Sequence, residues 1–108
     1  MIKIIKKKKI SEIANLYDAF FFDLYGVTHN GVKIFPGIIN ILKKIKNLKK
    51  KVVFISNAPR KSTKIKKFLN KIGLKKSLYF DVVSSGDITY ENYLVRLNKK
   101  KYYFIGAR

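Results

Sequence analysis

The sequence has no cysteine, no tryptophan and a single histidine, and only six of its 108 residues are acidic. The absence of cysteine excludes disulfide bonds and thiolate metal sites. Because His29 is alone, a metal site made of several imidazoles is excluded as well. The apolar segment at 19–22 is enclosed by Asp18 and Asp23, so neither a signal peptide nor a membrane span fits the chain. We therefore expect a cytoplasmic protein.

Positive charge dominates the composition. Lysine and arginine together number 25, and the formal net charge is +19, which is compatible with nucleic-acid binding. Almost all of these cations are lysine. Only Arg60, Arg96 and Arg108 offer the guanidinium that suits bidentate contacts to phosphates or bases. The chain is also rich in Ile, Asn, Phe and Tyr, which share adenine- and thymine-rich codons with Lys. Genomic base composition is therefore the favoured explanation of the charge.

Four short apolar segments are predicted as strands. They cover residues 18–23, 52–55, 79–85 and 101–106. Continuous hydrophobic runs are typical of parallel strands that are buried on both faces. Apolar residues at helical spacing predict connecting helices over about 36–48, 61–72 and 86–97. This alternation predicts an α/β, Rossmann-like three-layer α/β/α fold with a mostly parallel sheet and right-handed crossovers.

The loop at 25–35 contains a strong turn signal, Asn30-Gly31. The segments on either side of this turn are expected to pair as a small hairpin over the end of the first strand. His29 lies in the same loop and could contact a substrate, but a surface turn histidine is the favoured interpretation. Arg60, near the start of the second connecting helix, fits either a contact to a substrate anion or a solvated side chain.

Polar side chains follow the first two strands at their carboxyl ends. Asp23 ends the first strand ahead of a turn at Gly26, and Ser56 and Asn57 end the second. Ligands of α/β folds bind beyond these strand ends. A carboxylate there can attack an electrophilic phosphorus and form a covalent intermediate. Such an attack needs charge neutralisation, for which Mg²⁺ is suited. Each segment taken alone also fits an ordinary turn.

Together these segments resemble the haloacid dehalogenase superfamily of hydrolases. Its first motif is an apolar strand ending in Asp-x-Asp-Gly-(Val/Thr), and its second is an apolar strand ending in Ser or Thr, often followed by Asn. The matching letters are FDLYGV at 22–27 and FISN at 54–57. The letters GVTHNG, FPG, SNAPR and SSGD further resemble the class IIA branch of p-nitrophenylphosphatase-like enzymes. The resemblance covers nearly all of residues 11–108.

The resemblance implies a Mg²⁺-dependent phosphatase that acts on a small phosphorylated metabolite through an aspartyl-phosphate. Asp23 would be the nucleophile and a metal ligand, and the backbone carbonyl of Tyr25 would be a second metal ligand. Ser56 would bind the phosphate through its hydroxyl, with Asn57 beside it in the substrate pocket. We expect no specific nucleic-acid partner.

One position departs from the family pattern. The second aspartate of the first motif is the general acid and base of the family, and it is Tyr25 here. A phenol, with an ordinary pKa of about 10, is a weak base near neutral pH. General acid–base catalysis is typically worth about 10²–10⁴-fold. The resemblance therefore predicts impaired turnover of ordinary phosphate monoesters, although some class IIA relatives also carry an aromatic residue at this place.

The resemblance divides the chain after residue 85. Residues 1–85 correspond to the N-terminal part of the core, and residues 86–108 correspond to the beginning of the large cap of this branch. The family's later motifs are a lysine that steadies the phosphate and an acidic pair that completes the metal site, and neither has a counterpart here. We therefore expect the chain to be the N-terminal fragment of a longer protein, with little or no activity alone.

Two hypotheses from other classes stay open at this point. The charge is compatible with a basic nucleic-acid-binding module, whose binding would show a preference beyond salt-sensitive attraction. The chain could also be the non-functional product of a truncated gene. Neither the identity of the substrate nor the oligomeric state follows from the sequence.

Overall fold

The structure is a computed structural model that describes residues 9–97 and 100–106. Three parallel strands form one sheet in chain order: β1 (Ala19–Asp23), β2 (Lys51–Ser56) and β3 (Asp81–Ser84). The register pairs Phe22 with Phe54, and Phe54 with Val82. The predicted Rossmann-like α/β fold with a parallel sheet is confirmed.

Helices precede, connect and follow the strands. They are α1 (Ile10–Ile13), α2 (Ile38–Asn47), α3 (Ser62–Lys71) and α4 (Ser85–Thr89). Further helical elements are 3₁₀ turns at Ala14–Leu16 and Lys76–Leu78, and a π-helical turn at Tyr90–Leu94. The single helix predicted over 86–97 is therefore one α-helical segment continued by a π-helical turn. None of the helices in the described ranges is long and apolar enough to cross a membrane.

One face of the sheet carries the hydrophobic core. Successive side chains of a strand point to opposite faces, and one set of strand side chains packs with the apolar stripes of α2 and α3. The buried cluster consists of Phe22, Leu24, Leu42, Ile45, Val52, Phe54, Ile65, Leu69, Leu74, Tyr79 and Val82. Burying one large apolar side chain contributes about 1.5–3 kcal/mol. This cluster therefore holds the two helices on the sheet.

The opposite face of the sheet is open. Phe21 is 67% exposed, Ile55 is 47% exposed and Val83 is 39% exposed. The expectation that the strands are buried on both faces is wrong for the described residues. The reason is topological: successive right-handed crossovers between strands added in one direction place their helices on the same side of the sheet. The described residues thus form two layers of the expected three.

The predicted strand at 101–106 is wrong. Residues 100–106 form no strand, although several of their side chains favour extended structure. β-propensity depends on packing against neighbouring strands, and no hydrogen bond joins these residues to the sheet in the described part of the chain. The Tyr102 hydroxyl instead donates to the Leu97 carbonyl at 2.6 Å.

The turn predicted at Asn30-Gly31 is confirmed. The Asn30 N–H donates to the Lys33 carbonyl at 3.1 Å, and the Phe35 N–H donates to the Thr28 carbonyl at 3.0 Å. The side-chain oxygen of Asn30 also accepts from the Lys33 N–H at 2.9 Å. These bonds form a small hairpin in the loop between β1 and α2.

Candidate active site

The loop after β1 folds back tightly on the end of the strand. The Leu24 carbonyl accepts hydrogen bonds from the N–H groups of Thr28 at 2.8 Å and His29 at 3.2 Å. The Thr28 hydroxyl donates to the Asp23 carbonyl at 2.7 Å. Gly26 has a φ of +82°, in the left-handed region that glycine adopts most readily. These contacts fix the backbone that carries the Asp23 side chain.

The Asp23 carboxylate is exposed. Its Oδ1 accepts a hydrogen bond from the N–H of Leu24 at 2.8 Å. Its Oδ2 accepts none from the described residues. One carboxylate oxygen is therefore oriented by the backbone and the other is open, which suits a nucleophile or a metal ligand.

Ser56 ends β2 at the same rim of the sheet as Asp23. The register pairs Asp23 with Ile55, and Ser56 with Ser84 of β3. Neighbouring strands lie about 4.8 Å apart, so the three strand ends are adjacent, as predicted. The Ser56 hydroxyl oxygen accepts from the Ala58 N–H at 3.2 Å, which leaves the hydroxyl hydrogen to donate to a ligand.

Asp23 and Ser56 reach this rim from opposite faces of the sheet. Asp23 alternates with the buried Phe22 and shares the open face with Phe21, whereas Ser56 shares the core face with Phe54. Their side chains can act on one ligand only above the strand ends, beyond the last hydrogen-bonded pair. A bound substrate would therefore lie across the end of the sheet rather than against either face.

A cleft of about 600 Å³ lies at this rim. It is lined by Leu24, Tyr25, His29, Gly31, Ser56, Ala58, Pro59, Arg60, Lys64, Ile65, Phe68, Phe104, Ile105 and Gly106. The volume is in the usual range for a small-molecule site. The lining contains two cationic side chains, Arg60 and Lys64, and no carboxylate. Its charge therefore favours an anionic ligand.

Residues 84–87, here called the clamp segment, hold the loop between β2 and α3. The Ser84 hydroxyl donates to the Arg60 carbonyl at 2.6 Å and accepts from the Asp87 N–H at 3.1 Å. The Asp87 carboxylate accepts from the Ser62 N–H at 3.0 Å, and so satisfies a backbone donor in the first turn of α3. Ser84 is 1% exposed, so water competes little for its bonds.

Gly86 allows the clamp segment to approach the loop closely. A Cβ at this position would overlap the backbone of Arg60. The Gly86 N–H donates to the Ala58 carbonyl at 3.2 Å, and the Ser85 hydroxyl donates to the side-chain oxygen of Asn57 at 2.7 Å. The clamp segment therefore fixes the path of the backbone that carries Arg60 into the cleft.

His29 is buried, so the favoured interpretation as a surface turn histidine is wrong. The residue is 6% exposed. Its ring centroid lies 5.1 Å from that of Phe68 in α3 and 6.1 Å from that of Tyr25. Burial lowers the pKa of His29, and the negative charge of Asp23 opposes this shift in part. The imidazole is therefore favoured in its neutral form.

A second cavity of about 620 Å³ lies between α1 and α2. It is lined by Lys9, Ile10, Ala14, Ile41, Lys44, Ile45, Asn47 and Leu48. This lining is mostly apolar and contains no carboxylate, hydroxyl or imidazole. The cleft at the strand ends is therefore the better candidate for a site of chemistry.

Comparison with known proteins places the chain in a family. Residues 20–108 match the haloacid dehalogenase-like hydrolases. The chain belongs to this family. It is 34% identical over 70 residues to the 4-nitrophenylphosphatase of Schizosaccharomyces pombe, and the match covers 65% of this chain and 23% of that protein.

A solved structure supports the same assignment. It is a hydrolase of the haloacid dehalogenase-like family from Brucella suis 1330, with a TM-score of 0.74 and 28% sequence identity. The match covers 82% of this chain and 34% of the Brucella chain. This haloacid dehalogenase-like chain therefore spans 23% to 34% of the length of the two relatives.

The predicted site residues of this haloacid dehalogenase-like chain occupy different positions relative to the cleft. Ser56 and Tyr25 line it, whereas Asp23 and Asn57 do not belong to its lining. The side-chain oxygen of Asn57 is engaged by the hydroxyl of Ser85. Arg60, for which two interpretations were open, lies in the cleft.

The loop after β1 offers oxygen atoms of the kind that bind a metal ion. The open carboxylate oxygen of Asp23 and the backbone carbonyl of Tyr25 are hard oxygen donors of the kind that Mg²⁺ prefers. No cluster of three or more His, Asp or Glu side chains occurs among the described residues. The donors that residues 9–97 and 100–106 provide therefore fit a portion of a magnesium coordination shell.

Sequence reasoning missed two contributors to the cleft, Lys64 with Phe68 and the segment 104–106. Lys64 and Phe68 both lie in α3 and are four residues apart, a spacing that places helical side chains on one side. That signal was present in the sequence. The contribution of 104–106 depends on contacts distant along the chain and has no local signal.

Proposed function

We propose that this chain provides the nucleophile and the phosphate-binding side of a Mg²⁺-dependent phosphatase that acts on a small phosphorylated metabolite. The observation that carries the proposal is the register of the sheet, which pairs Asp23 with Ile55 and so brings the ends of β1 and β2 to one rim. At this rim Ser56 lines a cleft that contains two cationic side chains. Membership of a hydrolase family supports it, as does the similarity to a protein named 4-nitrophenylphosphatase.

In the proposed reaction, a carboxylate oxygen of Asp23 forms a bond to phosphorus as the phosphorus–oxygen bond to the leaving group breaks. The leaving oxygen takes a proton from water. A second water then cleaves the aspartyl-phosphate, which restores the carboxylate and releases inorganic phosphate. The Ser56 hydroxyl, Arg60 and Lys64 would bind the phosphoryl oxygens and stabilise the charge that develops on them.

Asp23 and the backbone carbonyl of Tyr25 would hold Mg²⁺, which supplies charge neutralisation at the phosphate. The side chain of Tyr25 is 73% exposed at the rim, where the family has its second aspartate. A phenol at this position does not supply the general acid and base that an aspartate would. We therefore propose slow turnover for simple phosphate monoesters, and we assign residues 86–108 to the beginning of a cap domain.

The test is Mg²⁺-dependent hydrolysis of 4-nitrophenyl phosphate, measured on the full-length protein that contains this chain. Asp23→Asn is expected to lower kcat by about 10³-fold or more, as removal of a nucleophile does. Asp18→Asn is the matched control, because it makes the same chemical change just before β1, far from the rim. Hydrolysis that survives Asp23→Asn undiminished contradicts the proposal.

A further inference from the structure

His29 is held in one ring orientation. The N–H of Gly31 donates to its Nδ1 at 2.9 Å. The rings of Phe68 and Tyr25 lie edge-on to the imidazole. The His29 backbone is fixed as well, because its carbonyl accepts from the Gly26 N–H at 2.8 Å. With 6% of the residue exposed, the ring cannot turn over without breaking these contacts.

The hydrogen bond to Nδ1 determines where the ring proton lies. A nitrogen that accepts from an N–H group carries a lone pair, so the proton of the neutral imidazole must be on Nε2. A doubly protonated imidazole has two donors and no acceptor, and it would lose the bond from Gly31. His29 therefore presents a fixed, uncharged donor at Nε2.

This donor belongs to a residue that lines the cleft. Nε2 donates a hydrogen bond to no described residue. Every buried side-chain nitrogen or oxygen in the described part of the chain has a hydrogen-bond partner, so Nε2 is not one of the buried atoms. Nε2 is therefore within reach of solvent. The cavity that His29 lines is the one it shares with Ser56 and Arg60.

We propose that His29 is a substrate-binding residue whose Nε2–H donates a hydrogen bond to a phosphoryl oxygen of the bound phosphate ester. The inference rests on the proposed function and adds a residue to its site. Phosphoryl oxygens are strong acceptors, and Arg60 and Lys64 already favour an anion in this cleft.

Two substitutions test the roles of the two ring nitrogens one at a time. His29→Asn keeps a short acceptor that can serve the Gly31 N–H and removes the donor in the cleft. His29→Gln keeps a donor near the position of Nε2 and removes the acceptor in the turn. The proposal therefore expects His29→Asn to weaken phosphate binding and to preserve the fold. It expects His29→Gln to preserve phosphate binding and to disturb the turn.

The experiment is a titration of the 108-residue chain with inorganic phosphate, followed by NMR of ¹⁵N-labelled histidine. His29 is the single histidine, so one set of ring signals is observed. The spectrum should show the Nε2–H tautomer, and phosphate should shift the Nε2–H signal more than chloride does at equal ionic strength. A Nδ1–H tautomer, or a ring that phosphate leaves unshifted, overturns the proposal.

The phosphate affinity of the two variants gives a quantitative test. His29→Asn should weaken phosphate binding about three- to tenfold, which corresponds to one hydrogen bond, and His29→Gln should remain within about twofold of the original chain on the same scale. Equal losses in both variants overturn the proposal. If His29→Gln fails to fold, the ring spectrum of the unaltered chain and His29→Asn still decide.

A Ser56→Ala variant distinguishes failure of this inference from failure of the proposed function. If Ser56→Ala weakens phosphate binding and His29→Asn does not, the phosphate site stands and the role of His29 is wrong. If neither substitution changes phosphate binding, the cleft is not a phosphate site and both proposals fail.

Discussion

Tyr25 replaces a carboxylate beside the proposed nucleophile, so the chain has less negative charge at the rim than its family pattern calls for. The ring of Tyr25 is largely exposed and packs edge-on against His29 at 6.1 Å between centroids. The affinity of an oxygen site for a divalent cation depends on the number of charged ligands. Under the proposed function, the Asp23 carboxylate would therefore be the main source of metal affinity in this loop.

Restoring the carboxylate should increase that affinity. We expect Tyr25→Asp to bind Mg²⁺ several-fold more tightly than the unaltered chain, because a second carboxylate lies near Asp23. Isothermal titration calorimetry measures the change. Tyr93→Asp is the control, since Tyr93 is also exposed, at 62%, and the change in net charge is the same. Equal gains in both variants would show that net charge alone attracts the ion.

At the scale of elements, the clamp segment holds the loop before α3 through one backbone hydrogen bond, from the Gly86 N–H to the Ala58 carbonyl. The side chains of Ser84, Ser85 and Asp87 supply its other hydrogen bonds. Gly86→Ala is expected to cost about 1–3 kcal/mol of stability, because its Cβ would overlap the Arg60 backbone, which cannot swing aside as a side chain can. Urea unfolding gives the free energy, and amide NMR of residues 57–62 reports displacement of the loop.

Ser85→Ala is the matched control for that prediction, because it removes only an exposed hydrogen bond to Asn57. A change of a few tenths of a kcal/mol is expected for it. If Gly86→Ala unfolds at the same urea concentration as Ser85→Ala and leaves the loop amides unshifted, the clamp segment does not position the loop.

The ion pair between β3 and α3 predicts a pH dependence of stability. Lys66 Nζ lies 2.8 Å from Asp81 Oδ1. This contact and the hydrogen bond from the Val82 N–H hold the pKa of Asp81 below its ordinary value of 3.8. The folded state therefore binds the proton less readily than the unfolded chain. The resulting stability is present above the ordinary pKa and is lost as the pH falls through the lowered one.

Asp81→Asn tests this dependence. Near neutral pH the variant should be less stable by at most about 1 kcal/mol, because the pair is partly exposed and screened by solvent. At a pH well below the ordinary carboxyl pKa, the two proteins should unfold at the same urea concentration. Asp18→Asn serves as the control, since its pair with Lys50 is longer, at 3.6 Å, and its own side chain is fully exposed. A difference in stability between Asp81→Asn and the unaltered chain that persists in acid contradicts the assignment of the pH dependence to this ion pair.

The sequence was most informative where one local pattern determines an element. Strand β2 and the amphipathic α2 follow from their apolar spacing, and the Asn30-Gly31 turn follows from its residue types. The segment 101–106 was mispredicted because β-propensity does not supply a pairing partner. The burial of His29 depends on Phe68, which lies in a helix far along the chain, and a turn signal carries no information about it.

At the scale of the whole molecule, the open sheet face is an apolar surface on a strongly cationic chain. Phe21 and Ile55 are exposed there, and the formal net charge is +19. Apolar attraction favours association of two such faces, whereas charge repulsion opposes it. Salt screens the repulsion, with a Debye length of about 10 Å at 0.1 M. Self-association of the 108-residue chain should therefore increase with ionic strength.

Phe21→Lys should abolish most of this association at high salt, with little cost in stability because Phe21 is already 67% exposed. Sedimentation velocity measures the effect. Val32→Lys is the control, since it adds the same charge at an exposed position in the loop outside the sheet. If both substitutions reduce association equally, charge rather than the sheet face governs it.

The order of strands in the sheet has a consequence for synthesis on the ribosome. Each strand pairs with the strand that precedes it in the chain, so β1 and β2 can join with α2 between them before β3 has left the exit tunnel. Small mixed α/β domains typically fold within about a second, whereas the ribosome adds about 5–20 residues per second, so pairing can keep pace with synthesis. Elongation then sets the order of assembly, and the rim that carries Asp23 and Ser56 forms before the clamp segment arrives to secure it.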